Sequence, residues 1–187
     1  MKISPEYLAG FFDGEGCIDV QRMYPKVSGR KVFYCRPRVR LALAQSGAYL
    51  LEGLRDRFGG HLTNRTAINP NQQSSVAWEL LNREEMQAIL QIMLPHLFLK
   101  REQAKLALWW VDNLAGKRAK NGETARLEAV RKLFAEELKL MKRDPQRLSE
   151  AAVHRINELM RQSDLHGDMQ RVGEITTPLT CEVSLTC

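Results

Sequence analysis

Residues 8–16 read LAGFFDGEG: Leu8, Ala9, Gly10, Phe11, Phe12, Asp13, Gly14, Glu15 and Gly16. An apolar helix begins here and is interrupted by glycines and acids. Glycine in a helix interior costs ~1 kcal/mol relative to alanine, so Gly10 and Gly14 need a reason. At helical spacing Gly10, Asp13 and Gly14 share one face. Leu8, Phe11 and Phe12 fall on the other side, toward a core. A face of glycines lets a second backbone approach closely. Two copies of this helix packed side by side bring their C-terminal ends together, each with one Glu15. An ordinary C-cap, with Gly14 or Gly16 left-handed, explains one glycine. It does not explain Gly10, or an acid at the negative end of a helix. Acids crowded at two such ends instead suit a divalent cation, which Mg²⁺ exemplifies with its carboxylate, phosphate and water ligands.

Working outward, Ser4 is the N-cap of a helix from Pro5 to Gly14, with Glu6 in its first turn. CIDVQRMY (17–24) and VFYCRPRVRLALAQ (32–45) read as a β-hairpin whose long basic loop contains Pro25 and Gly29. A helix over 48–60 stops at Gly59-Gly60. HLTNRTAI (61–68) and SSVAWELL (74–81) form a second hairpin. Helices follow over 82–97, 99–114, 123–143 and 146–162, the last two split by Asp144-Pro145. The expected fold is α+β: an αββαββα core over 4–115 with a four-stranded antiparallel saddle sheet, helices on one face, and added C-terminal helices over 123–162. Residues 1–162 form one domain. Residues 163–187 are polar and aperiodic, and a disordered tail is expected there.

The 187 residues are 44% hydrophobic, enough for a substantial core, and carry a net charge of +6. That balance favours an anionic partner, either nucleic acid or an anionic membrane surface. No run approaches the ~20 apolar residues of a membrane span, and no signal-peptide core follows Met1. The chain is expected to be intracellular and not membrane-bound. Cys17, Cys35, Cys181 and Cys187 have no metal-ligand spacing and read as reduced thiols.

Strand alternation sorts the second strand of the first hairpin. Phe33, Cys35, Pro37, Val39, Leu41 and Leu43 face the helices. Tyr34, Arg36, Arg38 and Arg40 face away. Between Val20 and Leu51 the lysines and arginines include Lys26, Arg30 and Lys31 of the loop, and no acid occurs. A solvated outer face is the plain interpretation, but a single-sign row repels itself and argues for an anionic ligand. Arginine at strand spacing reaches phosphates and guanine edges in a DNA major groove. Asp19, Gln21 and Met23 join this face from the first strand, and Thr63 and Arg65 from the third. On the fourth, Trp78 is placed inward, leaving Ser75, Ala77 and Glu79 outward.

Leu8–Gly16 resembles the signature of the LAGLIDADG homing endonucleases, and the element order over 4–115 is similar to that family's core. The resemblance implies a DNA-cleaving enzyme. One motif implies a homodimer on a long, near-palindromic double-stranded DNA site, using Mg²⁺ or another divalent cation such as Mn²⁺. Both strands would be cut across the minor groove, leaving short 3′ overhangs. Glu15 matches the motif's final acid, a metal ligand. Asp13 matches the first acid and is expected in the seam with Gly10 and Gly14. Gln45 resembles a residue that positions water. Lys100 resembles a basic residue near the scissile phosphate. A polar strand end and a surface lysine account for these two equally well. A basic residue often follows the Gln45 position; SGAYLL offers none, and Arg65 is a candidate replacement. Such proteins belong to a bacterial or phage cytoplasm or to an organelle, and mobile introns encode many of them. The alternative is a non-cleaving nucleic-acid binder of this fold, an intron RNA maturase or a DNA-binding regulator. Glu15 argues against it, because a binder has no need of that acid.

Overall fold

Ser4 Oγ accepts a hydrogen bond from the Tyr7 N–H at 3.3 Å, and Pro5 fills the first turn, so helix α1 (Pro5–Glu15) starts where sequence chemistry puts it. The computed structural model describes residues 3–27, 29–67, 69, 73–114 and 124–172. After α1 come β1 (Gly16–Met23), β2 (Lys26–Val27), β3 (Arg30–Lys31) and β4 (Tyr34–Ala44). A 3₁₀ turn (Gln45–Gly47) leads into α2 (Ala48–Phe58), followed by β5 (His61–Arg65) and β6 (Ser75–Leu80). Helices α3 (Arg83–Met93), α4 (Arg101–Asn113), α5 (Thr124–Arg143) and α6 (Ser149–Val172) complete the order. The expected α+β architecture holds.

Some details differ from expectation. The basic loop of the first hairpin itself pairs, as the β2–β3 ribbon turning at Gly29, whose φ is +81°. Helix α6 runs to Val172, well beyond residue 162; the remainder of the expected tail, 173–187, lies outside the described residues. Leu148 precedes α6 instead of joining its apolar stripe and is exposed.

The four long strands order as β1-β4-β6-β5, every neighbour antiparallel. Cys35, Pro37, Val39 and Leu41 of β4 are buried and Tyr34, Arg36, Arg38 and Arg40 half-exposed, as alternation predicts. Pro37 sits where β4 is paired on one side only, because the β6 register begins at Val39. The inner face packs under the helices. Trp110 of α4 meets Phe134 of α5 with ring centroids 4.2 Å apart. Val130, Phe134, Leu138 and Met141 of α5 are all buried in the same core. The added helices are therefore continuous with the αββαββα unit. Phe11, expected in the core, is only half-buried. Of the adjacent tryptophans of α4, Trp110 is buried and Trp109 half-buried.

Trp78 is fully buried, and its Nε1 donates to the Gly59 carbonyl at 2.8 Å. That bond requires α2 to stop sharply, and Gly59 and Gly60 take φ of +79° and +83°. A Cβ on Gly60 would lie 2.7 Å from the Glu79 carbonyl oxygen. Gly60→Ala is expected to lower the unfolding free energy by about 1–3 kcal/mol, measured by urea denaturation.

Candidate functional site

Helix α1 is two-faced. Leu8, Ala9 and Phe12 are buried, while Gly10 and Gly14 are exposed. A Cβ built on either glycine meets nothing within 4 Å, so no contact inside the chain demands glycine there. Gly16 is different. Its φ of −79° is not left-handed, but a Cβ there would drive into the Phe12 ring. The chain must leave the helix through this glycine as extended strand. Glu15 is thereby held at the helix–strand junction. Its carboxylate is exposed and makes no hydrogen bond or ion pair among the described residues.

The Asp13 carboxylate accepts the N–H groups of Phe98, Leu99 and Lys100 at 2.6, 3.2 and 2.9 Å. These donors lie at the entrance to α4, where free N–H groups and the positive helix end attract an acid. The side chain is engaged within the chain, a role the sequence reading did not assign to it. The Lys100 ammonium also donates to the Asp13 carbonyl. Asp13 thus ties the basic residue to the helix that carries Glu15. Burial pulls the Lys100 pKa below its ordinary value, against the opposing pull of Asp13, Cys17 and Glu15.

Beyond Lys100 opens a cleft of about 320 Å³ lined by Gly16, Cys17, Leu99, Lys100 and Lys142, among others. Lys142, from the last turn of α5, donates to Cys17 Sγ at 3.0 Å. The sequence reading missed this second cation. A lysine in a final helical turn carries no signal beyond its match to the helix dipole. Gln45 opens the turn after β4, exposed, with its N–H on the Ser74 carbonyl at 3.1 Å. Gly16 pairs with Leu41. Gln45 therefore lies at the same end of the sheet as Glu15.

The outer sheet face assembles from cross-strand rows. Asp19 pairs with Arg38, Gln21 with Arg36 and Met23 with Tyr34; Arg40 pairs with Glu79, and Glu79 with His61. Thr63 and Arg65 continue the face on β5 and are exposed. Arg36 Nε donates to Gln21 Oε1 at 2.8 Å. Arg38 grips both oxygens of Asp19 at 2.8 and 2.9 Å, and reaches Glu79 at 3.3 Å. The bond to Asp19 is the main cause of a raised Arg38 pKa. The arginine row is not without acid, as its own strand suggests. Asp19 and Glu79 enter from the strands on either side, and no window along one strand reveals that. Tyr34 is drawn toward α5, its ring 4.5 Å from the Arg131 guanidinium. Lys26 and Lys31 are exposed, while Arg30 lies 3.4 Å from Glu128 of α5. Cys35 is buried, donates to the Arg131 carbonyl, and has its thiol pKa pushed up to about 12 by burial.

Among the described residues no three His, Cys, Asp or Glu side chains converge as a metal cage. Glu15 offers a free, hard oxygen donor. Mg²⁺ is commonly held by one or two carboxylates with phosphate and water, so this donor fits an ion shared with a ligand. No helix among the described residues is long and apolar enough to cross a membrane.

A four-stranded antiparallel sheet with an arginine-bearing outer face is joined to a glycine-faced helix that ends in a free acid. The chain belongs to the LAGLIDADG endonuclease family, whose model matches residues 8–106. No curated protein matches it in sequence. Among solved structures it is similar to the homing endonuclease I-CvuI in complex with its target, with a TM-score of 0.57 and 22% identity over 83% of this chain and 93% of that one. The homing endonuclease I-TnaI aligns with a TM-score of 0.55 and 18% identity over 85% and 99%. I-SmaMI bound to uncleaved DNA gives 0.51 and 18% over 79% of this chain but 51% of its own.

Asp13→Ala leaves three N–H groups without their acceptor and is expected to cost about 1–3 kcal/mol in urea unfolding. Lys100 is expected to titrate below the other lysines when followed by NMR of its side-chain signals. Between its native and unfolded values the native state binds fewer protons. Its contribution to stability therefore rises with pH across that window.

Proposed function

We propose that the chain is a site-specific double-strand DNA endonuclease that works as a homodimer on a long, near-palindromic site with Mg²⁺ or Mn²⁺. One observation carries this reading. Helix α1 keeps Gly10 and Gly14 bare on a face without intramolecular neighbours, and it ends in an unengaged Glu15. Close packing of two α1 helices gives the glycines their reason and brings two Glu15 carboxylates together. The two-copy arrangement is also supported by I-SmaMI, about half of whose chain is covered here.

Each outer sheet face lies along one half-site, with Arg36, Arg38, Arg40, Gln21 and Arg65 toward the major groove and the Lys26–Lys31 ribbon beside it. The two Glu15 carboxylates would hold a divalent cation, which would supply activation of water and stabilisation of the leaving oxygen. Lys100, fastened by Asp13, places a partly desolvated ammonium where negative charge develops. Gln45 at the same sheet end orients water.

Glu15→Gln is expected to reduce plasmid cleavage in Mg²⁺ by about 10²-fold or more while duplex affinity stays nearly unchanged. A variant that cuts normally removes the catalytic assignment. Gly14→Leu is expected to keep the fold, since the position is open, and yet to sediment as a monomer on DNA and lose double-strand cutting. Dimeric, active Gly14→Leu protein would place the seam elsewhere.

A further inference from the structure

The acids on the outer face form a pattern of their own. Glu79 is 7% exposed at the centre of the face. One of its oxygens lies 3.3 Å from Arg38 Nη1 and 3.6 Å from His61 Nε2, and the other 3.1 Å from Arg40 Nε. The last contact is one of charge, because Arg40 Nε is buried and no acceptor aligns with it. Arg38 is also clamped by Asp19. The Arg38 and Arg40 side chains are only 21% and 19% exposed. The guanidinium groups of Arg38 and Arg40 are thus matched by two carboxylates, and the unbalanced positive charge of the face comes from Arg36 and the margins.

A neutral, partly covered lattice adds little to the sequence-independent attraction of DNA, which scales with the cations that neutralise phosphates. Its arginines can turn to a base edge only by loosening carboxylates that would then stand unpaired on a half-buried surface, which is costly. A guanine edge, with two acceptors matched to one guanidinium, compensates for that; a poorly matched base does not. Discrimination by a penalty on wrong partners is one of the two general routes to specificity.

We infer that Glu79, together with Asp19, is a positioning and specificity-determining residue, holding Arg38 and Arg40 in a neutral lattice so that the sheet centre discriminates among DNA sequences instead of adding to general affinity. This rests on the sheet being the DNA-reading surface proposed above. Arg40, whose Nε lacks an aligned acceptor, is the member most readily drawn to DNA.

The test uses the full-length chain carrying Glu15→Gln, so that DNA stays whole. Fluorescence anisotropy measures its binding to a random-sequence duplex pool and to the best duplex selected from a randomised library, across a salt series. Adding Glu79→Gln is expected to raise affinity for the random pool severalfold and to steepen the salt dependence by about one counterion. The ratio of best to random affinity is expected to fall about tenfold. Glu79→Asp should recover part of that ratio. Asp19→Asn, nearer the rim, should move all three quantities in the same direction should Glu79→Gln fold poorly. An unchanged ratio in well-folded Glu79→Gln and Asp19→Asn chains overturns the proposal, as does a ratio that follows only the melting temperature. A parent chain that binds no duplex above background sinks the DNA-endonuclease reading as well, which separates the two failures.

Discussion

The ring of Phe12 lies where a side chain on residue 16 would have to be. This exclusion governs the end of the molecule that carries Glu15. Phe12 is fully buried because α1 must anchor one side in the core. Residue 16 must then be glycine, and the chain passes from helix directly into β1. Glu15 is fixed at the last helical position by this junction, with its carboxylate outside. The same helix leaves its glycine face bare because all its apolar bulk is on the other side. The position of the acid and the bare glycine face are two consequences of one packing decision.

A second constraint ties the Glu15 end of the molecule together from inside. Asp13 satisfies the N–H groups that open α4, and Lys100 returns a bond to the Asp13 carbonyl. The first acid of the motif thereby acts as a cap across a long loop in the sequence. It sets where α4 begins relative to α1. The lysine is held beside the helix end at the cost of part of its hydration, which is why its pKa falls. Helix α5 adds Lys142 to the same cleft, steadies the basic ribbon through Glu128 and covers Tyr34 with Arg131. The helices beyond the matched family region therefore bear on both the cleft and the sheet.

Most of the architecture was legible along the chain. Ser4-Pro5, Gly59-Gly60 and Asn82 mark element ends because caps and left-handed turns act through immediate neighbours. The alternation in β4 sorted its residues between faces correctly, since pleating has a period of two. The LAGFFDGEG stretch pointed to its family through glycines and acids at helical spacing. Less legible were features made by contacts between distant segments. The bonds of Asp13 to the start of α4 went unseen because its donors stand more than eighty residues away. Asp19 and Glu79 were placed on the face of Arg38 and Arg40, but which charges meet depended on the register between strands. Lys142 carried no local mark at all.

Sequence by itself determined the element order, the inner and outer faces of the sheet, and the two-faced first helix. These follow from backbone chemistry and hydrophobic spacing, which act over a few residues. Tertiary structure alone decided the charge balance of the outer face, the capping of α4 by Asp13 and the second lysine in the cleft. Coulombic and hydrogen-bonding partners are chosen by distance in space, and strand register and helix packing set those distances.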